Sequence, residues 1–91
     1  GVLTAGNKGS VVLKQSPFYA ESGGQVGDRG VIHSSKGTFI VEDTQKIGEA
    51  IVHIGMLQKG EMATDDKVTA TVDNQLRQAT KLNHSATHLL H

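Results

Sequence analysis

The stretch KVTATV, residues 67–72, alternates apolar and polar side chains along its whole length. Val68, Ala70 and Val72 alternate with two threonines, which is the period of a strand with one buried face and one exposed face. The β-branched side chains that dominate this stretch are also those that pack well on a pleated surface. These six residues therefore predict a half-buried β-strand, and the fold class follows from their neighbours.

Three earlier runs have the same character, at residues 11–13, 38–41 and 49–54. Each is short and apolar or β-branched, and turn-forming clusters at residues 5–9, 34–37, 46–48 and 59–61 separate them. Short strands with frequent glycine are typical of a small antiparallel barrel or sandwich. A barrel leaves no exposed edge in so small a unit, so we predict a mainly β fold, a small antiparallel β-barrel over residues 1–72.

The character of the chain changes at Asp73. Asp73 is a good helix N-cap, and residues 74–91 contain no glycine or proline. The apolar residues of this segment fall largely on one helical stripe: Leu76, Ala79, Leu82, Ala86, Leu89 and Leu90. We predict a C-terminal helical segment over residues 73–91, and the polar group Asn83–Ser85 leaves open whether it is one helix or two.

Composition limits the classes of function. Nine basic residues balance nine acidic ones over 91 residues, so no overall charge indicates nucleic-acid binding. The absence of cysteine excludes disulfides and thiolate metal sites in this chain and is compatible with a cytoplasmic location. No apolar run is long enough to span a membrane. Because the chain begins at Gly1 without methionine and stops at His91 within an apolar run, we expect it to be a piece of a longer protein.

Two segments have the residue types of a functional site. Residues 16–30 place four glycines within eight positions, which indicates unusual backbone angles or a close approach to another group. Their spacing fits neither a P-loop nor a dinucleotide turn, so a tight hairpin or bulge stays open beside a binding loop. Residues 41–46 contain the adjacent acids Glu42 and Asp43, for which a strand end leading into a polar loop is the simpler explanation than acid–base chemistry.

The third candidate segment is residues 83–91. On a helix, His84 and His88 would lie one turn apart on the same face, as two imidazoles must to share a metal ion. A metalloprotease would need a glutamate where this chain has Ser85. Two ligands are also too few for zinc, so residues outside this chain must complete any such site.

Taken together, these segments resemble the alanyl-tRNA synthetase family along nearly the whole chain. The resemblance rests on the order and content of residues 17–28, 41–46, 53–55, 72–73 and 83–91. It implies an enzyme that joins alanine to tRNA(Ala) using ATP and Mg²⁺ in a catalytic region absent here. It also implies an editing region that hydrolyses the ester when serine or glycine has been attached. That region begins with a translation-factor-like β-barrel and continues into a zinc-bearing editing domain, which matches residues 1–72 and 73–91.

The resemblance also implies roles for individual residues. His84 and His88 match two zinc ligands, completed in the family by a cysteine and a histidine far downstream of this chain. Thr87 matches a pocket threonine that helps to discriminate the aminoacyl group. We expect Gly23, Gly24 and Gln25 to lie near the tRNA terminus, and we expect the isolated chain to be inactive.

Two other functions stay open at this point. One is a free-standing trans-editing aminoacyl-tRNA hydrolase, which shares the glycine-rich segment and the histidine pair. The other is a structural or tRNA-positioning module with no activity of its own. For the module, weak binding of isolated tRNA is expected because the net charge is zero.

Overall fold

The structure, a computed structural model, describes residues 2–20, 27–73, 80–84 and 86–88. Within these ranges the chain forms eight β-strands, and each strand pairing is antiparallel. The strands are β1 (Val2–Thr4), β2 (Lys8–Leu13), β3 (Gly30–Ser34), β4 (Gly37–Ile47), β5 (Ala50–Ala63), β6 (Lys67–Val72), β7 (Thr80–His84) and β8 (Ala86–His88). The predicted mainly β, antiparallel fold is therefore confirmed.

The strands are hydrogen-bonded in the order β7-β6-β3-β4-β5-β2-β8, and β1 pairs with β5 away from this path. β5 organises the sheet, because it pairs with β4 on one side and with β2 and β1 on the other. One side of the sheet carries the core. Its buried members are Leu3, Val11, Leu13, Phe18, Ile32, Phe39, Val41, Leu57, Met62, Val68, Ala70 and Val72.

The four predicted β runs lie in β2, β4, β5 and β6, except that Glu49 precedes β5, which begins at Ala50. β6 has the burial pattern that its alternation predicts, with Val68, Ala70 and Val72 buried. The turn predicted around Lys59–Glu61 is wrong, because β5 continues through it. Gly60 there has a φ of 69°, a left-handed conformation that glycine adopts without steric cost.

The helix predicted from Asp73 onward is not found in the described part of that segment. Residues 80–84 and 86–88 are instead strands, with β7 paired to β6 and β8 paired to β2. The physical reason is that β6 and β2 each offer a row of backbone groups that another strand can pair with, and this tertiary pairing overrides a weak local preference for helix. No helix within the described residues is long and apolar enough to cross a membrane.

Candidate functional site at the base of the glycine-rich segment

Gly23, Gly24 and Gln25 lie outside the described residues, but the chain on both sides of them is described. Residues 16–20 lead into the glycine-rich segment 21–26, and residues 27–29 lead out of it. We call these two flanks the loop base. Side chains from β4 and β5 hold both flanks in place.

The incoming flank is fixed to β5 through His53. The Ser16 Oγ lies 2.7 Å from His53 Nε2, and His53 Nδ1 lies 2.8 Å from the Val11 carbonyl oxygen. A carbonyl oxygen can only accept a hydrogen bond, so Nδ1 carries the proton, Nε2 is the acceptor and the Ser16 hydroxyl donates to it. The Phe18 N–H donates to the same Ser16 oxygen at 3.1 Å, which closes a tight turn at Pro17.

His53 is fully buried and neutral. Its ring meets the Phe18 ring edge to face, with centroids 4.8 Å apart and an interplanar angle of 89°. Burial lowers the pKa of His53 to about 4, although the hydrogen bond to the Val11 carbonyl acts in the opposite direction. A serine beside a histidine resembles a nucleophile with its base. Here the imidazole has no exposed surface, so the pair anchors the chain.

The two flanks meet at Tyr19 and Asp28. The Asp28 N–H donates to the Tyr19 carbonyl oxygen at 3.0 Å, and the Tyr19 N–H donates to Asp28 Oδ2 at 2.7 Å. The buried Thr44 hydroxyl, on β4, donates to the Asp28 carbonyl oxygen at 2.8 Å. These three bonds bring the ends of the segment together and attach them to the sheet. The Tyr19 side chain is left 56% exposed at this point.

Asp43 holds the outgoing flank directly. Its Oδ1 accepts the Gly27 N–H at 2.7 Å and the Thr44 N–H at 2.8 Å, and its Oδ2 accepts the Gln45 side-chain amide at 3.1 Å. Burial acts to raise the pKa of the Asp43 carboxyl. The bonds from Gly27, Gln45 and Thr44, together with the Arg29 charge, outweigh this effect and leave the pKa below its usual value. Asp43 is therefore an ionised acceptor at neutral pH.

A β-bulge in β4 sets the direction of Asp43. Val41 pairs with Gly55 and Asp43 pairs with Ile54, so Glu42 is an extra residue with no partner on β5. Before the bulge, Phe39 and Val41 are buried; after it, the buried position is Thr44. Bulges re-aim side chains in this way, and this one turns the Asp43 carboxylate towards the loop base.

A groove of about 540 Å³ lies beside the loop base. It is lined by Arg29, by residues of β3 and β4, and by Asp73. Its charged members are one cation, Arg29, and two anions, Glu42 and Asp73. Because the two acidic side chains outnumber the single basic one, the groove lacks the positive charge that a phosphate-binding site needs.

The remaining predicted site residues are placed by strand register only. His84 is opposite Lys67 of β6, whereas Thr87 and His88 are opposite Val11 and Ser10 of β2. The two histidines thus lie on two successive strands, β7 and β8, and not one helical turn apart. Within the part of the chain that the structure describes, no group of three or more possible metal-ligating residues occurs. Their role as zinc ligands, like that of Thr87 in discrimination, stays a prediction.

The sequence predicts a strand end at residues 41–46, whereas β4 runs through them to Ile47. It did not identify the roles of Asp43 or His53. The partners of these residues are distant in sequence: Gly27 is 16 positions from Asp43, and Ser16 is 37 positions from His53. The local signal for Asp43 is a run of polar residues between two apolar stretches. Such a run does not indicate which groups the Asp43 carboxylate binds.

Comparison with known proteins gives a consistent result. The chain is 60% identical to the alanine--tRNA ligase of Francisella philomiragia over 89 residues, which cover 98% of this chain and 10% of that protein. It is 55% identical to the alanine--tRNA ligase of Legionella pneumophila strain Corby and 54% identical to that of Nitrosococcus oceani, with the same coverage. The chain thus spans about a tenth of the length of these relatives. No solved structure gives a significant match.

The family profile described as tRNA synthetases class II (A) matches residues 2–76. This match includes both flanks of the loop base as well as β4 and β5, which hold them. Since the profile covers most of the chain and the relatives agree with it, the chain belongs to the class II (A) tRNA synthetase family.

Proposed function

We propose that this chain is a segment of an alanine–tRNA ligase, which joins alanine to tRNA(Ala) with ATP and Mg²⁺ bound by parts of the enzyme outside it. The observation that carries this proposal is the 60% identity to a curated alanine--tRNA ligase across 98% of the chain. A cytoplasmic location, where tRNA is charged, belongs to the same proposal. A free-standing hydrolase is less well supported, because these relatives are ligases.

Within that enzyme, we infer that the segment supports hydrolytic editing of Ser-tRNA(Ala) and Gly-tRNA(Ala). A pocket for alanine rejects a smaller amino acid, or one with an added hydroxyl, by only a limited factor, so a second, hydrolytic site is the general solution. Hydrolysis requires water to attack the ester carbonyl, after which the acyl–oxygen bond breaks and the ribose hydroxyl takes up a proton. The fixed loop base supports this role, because a glycine-rich segment allows a close backbone approach to the ester.

The finer architecture is proposed on the same basis. β7 and β8 lie at the two ends of the strand order and are separated by one residue, Ser85, which favours closure of the sheet into a translation-factor-like barrel. The boundary at residues 72 and 73, where the editing domain is predicted to begin, stays a prediction, because β7 and β8 lie beyond it and pair with β6 and β2. Zinc bound by His84 and His88 rests on the family resemblance, and we derive no chemical step from it.

The described residues of the loop base carry out positioning. Ser16, His53, Asp28 and Asp43 all direct hydrogen bonds at groups of this same chain. Because these bonds fix the two flanks relative to β4 and β5, they support a second description of the isolated chain, as a tRNA-positioning module that is inactive alone. The two descriptions are compatible, because the module would place Gly23, Gly24 and Gln25 at the tRNA end in the intact enzyme.

The editing role is tested by the Gln25→Ala variant of the full-length enzyme. We expect hydrolysis of Ser-tRNA(Ala) to fall by roughly tenfold or more, the usual effect of losing a hydrogen bond at a reacting group, while charging with alanine is unchanged. Deacylation of purified Ser-tRNA(Ala) and aminoacylation of tRNA(Ala) measure the two activities. The matched control is Gln58→Ala, an exposed glutamine on β5. Unchanged hydrolysis in Gln25→Ala would contradict the role of this residue.

A further inference from the structure

We propose that Asp43 is a positioning residue for editing: its carboxylate fixes Gly27, the residue that directly follows the glycine-rich segment. The proposal rests on the editing function inferred above and adds to it a residue outside the segment. Asp43 does not touch the substrate in this proposal. It acts through the backbone of Gly27, and four observations support that role.

The first observation is the way in which the carboxylate is used. Asp43 Oδ1 accepts both the Gly27 N–H at 2.7 Å and the Thr44 N–H at 2.8 Å, so one oxygen joins the outgoing flank to β4. Hydrogen bonds to an ionised acceptor are shorter and stronger than those between neutral groups. The bond therefore holds the first described residue after the segment.

The second observation is that Gly27 is confined sterically as well. A Cβ added at Gly27 would clash with the Thr44 carbonyl oxygen and would lie 3.1 Å from the Tyr19 carbonyl oxygen. Gly27 is buried, and the backbone of β4 packs against it where a side chain would otherwise be. Movement of this flank towards β4 is thus blocked by contact, and movement away from it is opposed by the bond to Asp43.

The third observation is that the two flanks are coupled. Asp28, the residue after Gly27, is joined to Tyr19 by two hydrogen bonds and to the Thr44 hydroxyl by a third. A displacement of Gly27 therefore moves the exit and the entry of the segment together. The bond from Gly27 to Asp43 therefore bears on both flanks of the loop base.

The fourth observation is that the bulge beside Asp43 interrupts the pairing of β4 with β5. The bulge at Glu42 interrupts pairing with β5, and the register resumes at Asp43 and Ile54. A regular strand would keep the ladder intact but would place residue 43 on the core face, in line with Phe39 and Val41. The irregularity gives β4 an outward-facing acceptor next to Gly27, which is the kind of use that bulges serve near functional sites.

The test compares Asp43→Ala with Asp43→Asn in the full-length enzyme. Asparagine keeps one carbonyl oxygen, which can still accept both N–H groups, whereas alanine removes the acceptor. We expect kcat for Ser-tRNA(Ala) hydrolysis to fall by about tenfold in Asp43→Ala and to return to within about threefold in Asp43→Asn, with KM little changed. Glu42→Ala, which removes the adjacent exposed acid, should stay within about twofold of the unmodified enzyme.

These outcomes separate positioning from a purely structural effect. A loss in Asp43→Ala smaller than about fivefold overturns the proposal, as does an equal loss in Asp43→Asn or in Glu42→Ala. Rescue by asparagine is decisive, because it restores the acceptor without restoring the charge. A change in KM with kcat retained would indicate altered tRNA binding and would also overturn the proposal.

Hydrogen exchange measured by mass spectrometry on the same full-length variants distinguishes this proposal from the editing function itself. Peptides covering residues 17–29 should exchange faster in Asp43→Ala and at the unmodified rate in Glu42→Ala. If the unmodified enzyme does not hydrolyse Ser-tRNA(Ala), the editing function is wrong. If it does and exchange in these peptides is the same in all variants, the function stands and the role of Asp43 is wrong.

Discussion

At the scale of single residues, the loop base depends on side chains that bind backbone groups. His53 is completely buried and donates to the Val11 carbonyl while accepting from Ser16. Both interactions require the neutral ring with its proton on Nδ1. Protonation of Nε2 would remove the acceptor that Ser16 uses and would place a charge in a region without solvent, which explains why burial lowers the pKa of this group.

The stability of the chain should therefore depend on pH through His53. Its folded pKa of about 4 lies below the usual 6.5, so between these values the unfolded chain binds a proton that the folded chain does not. The contribution is complete above pH 6.5 and is lost as the pH falls towards 4. From pH 7 to pH 5, we expect His53 to lower the free energy of unfolding by about 2 kcal/mol, measured by urea denaturation.

Two substitutions isolate this effect. His53→Asn can still donate to the Val11 carbonyl but does not titrate, so its stability should change less between pH 7 and pH 5. His33→Asn changes an exposed histidine on β3 and should keep the pH dependence of the unmodified chain. An equal decrease in stability for the unmodified chain and His53→Asn would show that other groups cause it.

Little of this network could be predicted from the sequence. His53 enters the sequence analysis only through residues 53–55 of the family resemblance, and Asp43 only through residues 41–46 and as one of two adjacent acids. Their partners come from other strands and flanks, and the separation of His53 from the Val11 carbonyl is 42 positions. Periodicity reports which face of an element is buried; it does not report which distant backbone group a polar side chain binds.

At the scale of elements, β5 depends on glycine where β4 approaches most closely. A Cβ on Gly55 would clash with the Ile40 carbonyl oxygen, next to the bulge at Glu42. Gly55 also pairs with Gly9 of β2, so both neighbouring strands lie against it. Glycine is usually unfavourable inside a strand, and here the close approach of backbone explains its presence.

We expect Gly55→Ala to lower the free energy of unfolding by about 3 kcal/mol, because backbone atoms of β4 must move to admit the methyl group. The control is Gly48→Ala in the turn between β4 and β5. A Cβ at that position meets nothing within 4 Å, but φ is +62°, so a backbone penalty of roughly 1 kcal/mol is expected. Urea denaturation measures both variants, and equal effects would contradict the proposed close packing at Gly55.

Strand prediction succeeded where a local pattern was sufficient. The alternation in residues 67–72 and the apolar run in residues 38–41 lie in β6 and β4, as predicted. The sequence did not predict β1 and β3, because both are short and depend on pairing for their stability. β1 pairs with β5, and β3 pairs with β4 and β6. The predicted turn at Gly60 failed for a related reason: a glycine with φ > 0 can also lie inside a long strand that changes its pairing partner.

At the scale of the whole molecule, β7 and β8 pair with β6 and β2, which would otherwise be edge strands. β7 pairs with β6 from Lys67 to Thr71, and β8 pairs with β2 from Ser10 to Val12. The apolar residues after Asp73 that predicted a helix lie in a segment whose described parts supply these pairings. Local propensity could not reveal this outcome, because it depends on the two open edges that the preceding residues create.

A chain ending at Asp73 should therefore be less stable than the 91-residue chain and more prone to self-association. Without residues 74–91, the backbone groups of β6 and β2 that now pair with β7 and β8 become available to other molecules. Urea denaturation and size-exclusion chromatography at several concentrations measure the two effects. A monomeric truncated chain with unchanged stability would show that residues 1–73 form an independent unit, as the predicted domain boundary implies.

The extra residue in β4 also determines which kinds of sequence change this protein can accept. The buried positions are 39 and 41 before Glu42 and 44 after it, so the side-chain phase depends on the number of residues between Phe39 and Thr44. Replacing one of these side chains alters a single contact. Deleting or inserting one residue would exchange inside and outside for the following part of the strand, turning a carboxylate inward and a threonine outward. This short interval should therefore tolerate substitution far better than any change in its length.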